Sequence, residues 1–162
     1  ERETRLVGSS AAAELYKRHG FCFVNIEKDM MNSEVGFGRR VLEVLENHDL
    51  CFEHLPSGID TMSVIVNDAD FLPKKDAILH EIERTTRADS ITLNGEIALI
   101  AVVGRGMAGS MGTAGRVFTA IGNSGVNIRM IDQGSSELSI IVGVDEKDYI
   151  KTLNAIYKEF VK

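Results

Sequence analysis

Gly104-Arg105-Gly106-Met107-Ala108-Gly109 has the GxGxxG spacing with which backbone N–H groups can close on a pyrophosphate at a helix N-terminus. Asp132 stands 23 residues beyond its last glycine, about where a ribose hydroxyl would be held. Two features oppose this nucleotide reading. Gly134-Ser135-Ser136 has the composition of a hairpin turn leading into Leu138-Ser139-Ile140, and 20 residues remain after Val142, too few for a further parallel crossover. The other polar constellation is Glu53, His54, Ser57 and Asp60, where carboxylates could meet a cationic group while a nearby loop and helix start, residues 28–38, could take an anion. An anion site beside a cation site is the pattern that a free amino acid requires. Glu53 and Asp60 also fit a plain solvated strand end. His19, His48, His54 and His80 show no metal-ligand spacing, and no Ser/His/Asp or Cys/His arrangement points to nucleophilic catalysis. His80, beside Glu81 and Glu83, reads as a surface residue, and His54 stays as a contact candidate.

The elements that would position these residues follow from periodicity. Phe21–Ile26 reads as a strand, residues 28–33 as a loop, and Phe37, Val41, Val44, Leu45 and His48 as the apolar stripe of a helix. Strands at 50–55 and 62–66 flank the turn Pro56-Ser57-Gly58-Ile59-Asp60. Asp70 and Pro73 open a helix carrying Ile78, Leu79 and Ile82, and Ser90–Leu93 closes the unit as a strand before Asn94-Gly95. A second series follows: strand 97–103, loop 104–112, helix 113–123, strands 126–132 and 138–144, and a last helix with Tyr149, Ile150, Leu153, Ile156, Tyr157 and Phe160 on its stripe, with Asp145 and Asp148 as cap and first-turn carboxylate.

The two series align. At an offset of 76, Met31, Gly36, Arg40, Val41, Leu45, Asn47, Leu50, Phe52, Leu55 and Gly58 fall on Met107, Gly112, Arg116, Val117, Ile121, Asn123, Val126, Ile128, Ile131 and Gly134. This predicts two copies of one βαββαβ unit, an α+β fold, with residues 1–19 as an extension, 20–94 as the first domain and 95–162 as the second. The second copy lacks its fourth strand. Ala11–His19 reads as helix, and Leu6–Ala11 as linker. The formal charge of −6 with no basic cluster argues against a nucleic-acid partner, and no apolar run reaches membrane-spanning length. Cys22 and Cys51 lie in apolar runs and read as buried free thiols. Without a signal-like start in Glu1–Gly8, a cytoplasmic setting is the expectation.

At these residues the chain resembles a tandem pair of ACT domains, and most specifically the C-terminal regulatory region of aspartokinase. The resemblance covers residues 20 to 162 and rests on residues 25–32, 34–38, 53–60 and 102–107. It implies ferredoxin-like units, each an antiparallel sheet with helices on one face. The function implied is feedback inhibition, by lysine or threonine, of a kinase acting on the side-chain carboxylate of aspartate, with the catalytic domain itself absent from these residues. It further implies a homodimer through the ACT units and a kinase domain as partner; from the residues themselves, no cofactor and no metal are expected. Carried over by motif, the effector contacts are Met30, Met31, Asn32, Ser33, Val35, Gly36, Phe37, Gly38, Phe52, Glu53, His54, Ser57, Gly58, Ile59 and Asp60. Ser33 and the amides around Gly36 would take the effector carboxylate; Glu53 and Asp60 would take its ammonium groups. The competing readings are a nucleotide-binding enzyme using Gly104–Gly109 and a purely structural dimerisation module.

Overall fold

The computed structural model describes residues 4–7 and 13–160. Its strands are β1 (Thr4–Val7), β2 (Ala13–Glu27), β3 (Phe52–His54), β4 (Thr61–Asn67), β5 (Ser90–Gly104), β6 (Ile128–Asp132) and β7 (Ser139–Asp145). Its helices are α1 (Phe37–Asn47), α2 (Asp68–Phe71), α3 (Lys75–Thr86), α4 (Thr113–Asn123) and α5 (Tyr149–Phe160). The chain divides into two compact units, one of Gly20–Gly95 and one of Glu96–Lys162 together with Glu1–His19.

In the Gly20–Gly95 unit the strand order is β3-β4-β2-β5, and β4 runs antiparallel to both β2 and β3. Alternate residues of β2 (Cys22, Val24, Ile26) and of β4 (Val64, Val66) share one buried cluster with Phe37, Val41, Val44 and Leu45 of α1 and Ile78 and Ile82 of α3. The period of two on the strands and of three to four on the helices puts these residues on facing surfaces. The other unit repeats the plan. Ala98, Ile100 and Val102 of β5 and Ile140, Val142 and Val144 of β7 meet Val117 and Ile121 of α4 and Tyr149 and Ile156 of α5. Burial of each such side chain is worth roughly 1.5–3 kcal/mol, so these two clusters carry most of the driving force.

Several expectations need correction. Residues 13–19 are strand, the first half of β2, and belong with Glu96–Lys162, where β2 lies beside β5; they supply the position of the strand that the second copy lacks. Thr4–Val7 is strand as well, paired antiparallel with Ala13–Tyr16, so the linker reading fails for Leu6 and Val7, while residues 8–11 lie outside the described ones. Helix propensity in Ala-Glu-Leu-Tyr-Lys yields here to strand pairing, with β1 close in sequence and with the distant β5. Asn94-Gly95 does not break β5, which runs through from Ser90 to Gly104. Asp145 stands at the N-cap of the 3-10 turn that leads into α5, as expected, but its carboxylate makes no capping bond and instead accepts from Arg129 Nη1 at 2.6 Å. Cys51 is exposed, against the reading of two buried thiols.

Each of the long strands changes unit at a left-handed residue. Gly20 has φ +75° in β2 and Glu96 φ +56° in β5. These positions are equivalent in the repeat, being 76 apart. A Cβ on Gly20 would meet nothing within 4 Å, so a side chain there is opposed only by the backbone conformation. Gly20→Ala should therefore lower stability by about 1 kcal/mol, whereas Glu96→Gly should be tolerated within about 0.5 kcal/mol, because relief of the left-handed conformation offsets glycine's entropy. Urea midpoints of the two variants check this. Burial pushes the Cys22 thiol up to about 12, and the neighbouring Asp68 carboxylate adds to the shift. Since the thiolate is the nucleophile, a disulfide reagent at pH 8 should modify Cys51 in the folded chain and Cys22 only after unfolding.

Candidate functional site

The segment from Lys28 to Gly36 connects β2 to α1 and is held by backbone and side-chain groups together. Lys28 N donates to Asp60 O at 2.9 Å and Asn32 N to Ile59 O at 3.0 Å, which docks the segment on the turn before β4. The Asp60 carboxylate adds a third tie by accepting from Met30 N at 3.0 Å. On its other side Asp29 N donates to Asp89 Oδ2 at 2.7 Å and Lys28 Nζ to Arg87 O at 3.0 Å. Met31 is buried in the helix-facing core and anchors the middle. Glu34 is paired with Lys28 at 3.6 Å and with Arg40, whose Nη1 also donates to Val35 O at 3.4 Å.

This frame ends at a helix start without a side-chain cap. Gly36, with φ +81°, precedes α1 and offers no side-chain cap; Phe37 N donates to Glu34 O at 3.2 Å, and the next amides of the first turn are those of Gly38 and Arg39. Their N–H groups, at the positive end of the helix dipole, are receptive to an anion. Gly112, with φ +83°, repeats the device at α4. In the second copy the carboxylate tie comes from Glu137, which accepts from Gly109 N at 2.7 Å. The Gly104–Gly109 stretch does not enter a doubly wound sheet: β5 and β6 are both antiparallel to β7. That topology removes the structural context of the nucleotide reading.

The structure brings together most of the sequence-selected residues. Met30, Asn32, Ser33, Val35, Gly36 and Gly38 line the segment and helix start; Gly58, Ile59 and Asp60 lie on the turn docked against it; Ser57 bridges to Met62 at the start of β4. Met31 and Phe37 are core residues, so only their backbone is available to a ligand. Phe52, Glu53 and His54 are set apart on β3, the end strand of the order, where Phe52 pairs with Val66 and His54 with Ile65. Ile65 lies five residue steps beyond Asp60, roughly 17 Å at about 3.4 Å per residue. Met30, Val35 and Ile59 are strongly exposed for apolar residues, Val35 at 95%. The second copy is chemically different: the offset places Arg129 where the first has Glu53, and Arg129 is paired with Asp145. Among the described residues no group of three His, Cys, Asp or Glu could hold a metal ion, and no helix is long and apolar enough to cross a membrane.

Residues 100–160 match the family model described as ACT domain. With an antiparallel sheet backed by helices, the chain is a regulatory region of the ACT class. It is the ACT region of an aspartokinase: it is 43% identical over 142 residues to aspartokinase 3 of Bacillus subtilis, a match covering 87% of this chain and 31% of that protein. The aspartate kinase of Clostridium acetobutylicum superposes with a TM-score of 0.87 at 44% identity, covering 90% of this chain and 34% of that one. The regulatory subunit of aspartate kinase from Thermus flavus shares the fold along 96% of this chain and 99% of its own, with a TM-score of 0.77 at 19% identity. The chain thus spans about a third of the full-length kinases it matches, and the 162 residues do not contain their catalytic domain.

One polar bridge was missed by sequence reasoning. At the C-terminal end of α1, Asn47 Nδ2 donates to Glu81 Oε1 at 2.9 Å and His48 Nε2 lies 2.8 Å from Glu81 Oε2, joining α1 to α3. The signal was weak, because the partners are more than 30 residues apart and the spacing of His80 beside Glu81 suggested only a solvated face. The Asn47 hydrogen bond, then that of His48, holds the Glu81 carboxyl below its ordinary 4.5. A depressed carboxyl contributes stability above the unfolded pKa that is lost as pH falls through the folded one. The melting temperature should therefore drop as pH falls below about 4.5, and Glu81→Gln should remove part of that drop while lowering stability at neutral pH.

Proposed function

We propose that the chain is the effector-sensing part of an aspartokinase, two tandem ferredoxin-like ACT domains with boundaries at 20–94 and 95–162, the second completed by residues 13–19. It binds lysine and thereby mediates feedback inhibition of aspartate phosphorylation by the kinase domain with which it associates, in the cytoplasm. The observation that carries this reading is the segment Met30–Gly38, tied to the turn by Asp60 and opening on an uncapped α1. The effector carboxylate takes the amides of Gly38 and Arg39, with Ser33 beside them, and the Asp60 carboxylate meets an ammonium group. Glu53, roughly 17 Å further along β4, reaches the same ligand only from a second chain. The exposed Met30, Val35 and Ile59 support such a homodimer, since apolar side chains crowding a polar site suit a covering surface. Lysine suits the site better than threonine, because a ligand with two ammonium groups matches two carboxylates.

A ligand bound at that seam favours the associated arrangement by its differential affinity for it, and opposes substrate binding in the kinase through a coupling of roughly 1–3 kcal/mol. The first copy is the effector site because the second replaces Glu53 by Arg129. Calorimetric titration tests the reading. Lysine should bind, and Asp60→Asn, whose amide oxygen can still accept from Met30 N, should weaken it at least about tenfold without moving the melting temperature. Lysine affinity unchanged in Asp60→Asn, or binding of threonine alone, would contradict the assignment.

A further inference from the structure

The two copies differ most informatively between their paired helices. α1 and α4 correspond at an offset of 76, and α3 (Lys75–Thr86) falls on α5 (Tyr149–Phe160) at an offset of 74, which matches buried Ile78 and Ile82 with buried Thr152 and Ile156. By that correspondence Asn47 becomes Asn123, Arg84 becomes Lys158, and Glu81 becomes Ala155. The donor and the cation that surround the Glu81 carboxylate are thus retained in type, while the carboxylate is gone. Ala77 becomes Lys151, which adds a second cation, and His48 becomes Ser124. What remains is an open groove of about 530 Å³ lined by Asn123, Ser124, Lys151, Asn154, Ala155 and Lys158, among others. That size is within the range of small-molecule sites. Among the described residues neither Lys151 nor Lys158 has an ion-pair partner, and Glu159, which also lines the groove, is paired with Arg116 at 2.8 Å.

We propose that the α4–α5 groove binds a small dicarboxylate, one carboxylate of which takes the place that the Glu81 side chain holds in the first copy. Asn123 donates to it as Asn47 does to Glu81 at 2.9 Å. Lys151 and Lys158 lie seven residues apart on one face of α5, about 10.5 Å along its axis, with Ala155 between them. Two cations so spaced suit two carboxylates better than one compact anion. The C-terminal carbonyls of α4 disfavour negative charge at this end, but α1 accepts a carboxylate at the same position, where the donors and the neighbouring cation offset the helix field. This inference is independent of the lysine site in the first copy.

Titration of the isotopically labelled chain with succinate, followed by amide shifts, tests it. Succinate should move the amides of Asn123, Ser124 and residues 151–158 saturably. Ala155→Glu should abolish those shifts by restoring the internal carboxylate, and Lys151→Gln with Lys158→Gln, surface changes that leave the core intact, should raise the Kd at least about tenfold. Absence of saturable shifts, unchanged affinity in the lysine double variant, or inorganic phosphate moving the same amides with equal affinity would overturn the proposal.

Discussion

The hydrogen bond from Met30 N–H to the Asp60 carboxylate, with its two backbone companions, is the constraint on which the rest of the site depends. A segment between a strand and a helix has no ladder of its own, and its polar groups must otherwise be satisfied by water. Here they are satisfied by the turn before β4 and by residues 87–89 just ahead of β5, so Gly36 and the first amides of α1 are held in place before any ligand arrives. Pre-ordering of that kind reduces the entropy lost on binding, which lets a small ligand with few atoms bind usefully. Met30 itself takes φ +59°, a conformation opposed in non-glycine residues, and the three surrounding hydrogen bonds hold it there.

The sheets supply the rigid base. The Gly20–Gly95 unit draws its four strand positions from one stretch of chain, whereas the other joins residues 13–19 to Glu96–Lys162: β2 gives residues 13–19 to one unit and 20–27 to the other, and β5 is divided in the same way near Glu96. The left-handed residues at 20 and 96 mark where each strand changes unit. Duplication explains why such a feature occurs twice at equivalent positions, once with glycine and once with glutamate.

Much of this was legible in the sequence because the repeat is strict where packing is strict. Val41 and Val117, Leu45 and Ile121, and Met31 and Met107 are buried in both copies, and the helices α1 and α4 correspond residue for residue. Legibility failed where the determining partner is remote. The residues of Ala13–His19 favour helix locally, and their extended form follows from pairing with β1 and from the neighbouring β5. Glu53 and Asp60 are seven residues apart in sequence, which suggested one site, yet the path of β3 and of the turn separates them. The Asn47–Glu81–His48 bridge depends on two helices meeting, which no local pattern encodes.

The copies have kept a frame and changed its polar content: Glu53 against Arg129, Glu81 against Ala155, the Asp60 tie against that of Glu137. A shared core with divergent edges is what specialisation of one copy for an effector requires. A crystal structure of the chain grown with lysine tests the account most directly. The account predicts electron density for the amino acid against residues 30–38 of the first copy, its carboxylate at the α1 N-terminus and an ammonium group within hydrogen-bond reach of Asp60. Lysine held instead at Gly104–Gly112, or bound away from both helix starts, would contradict it.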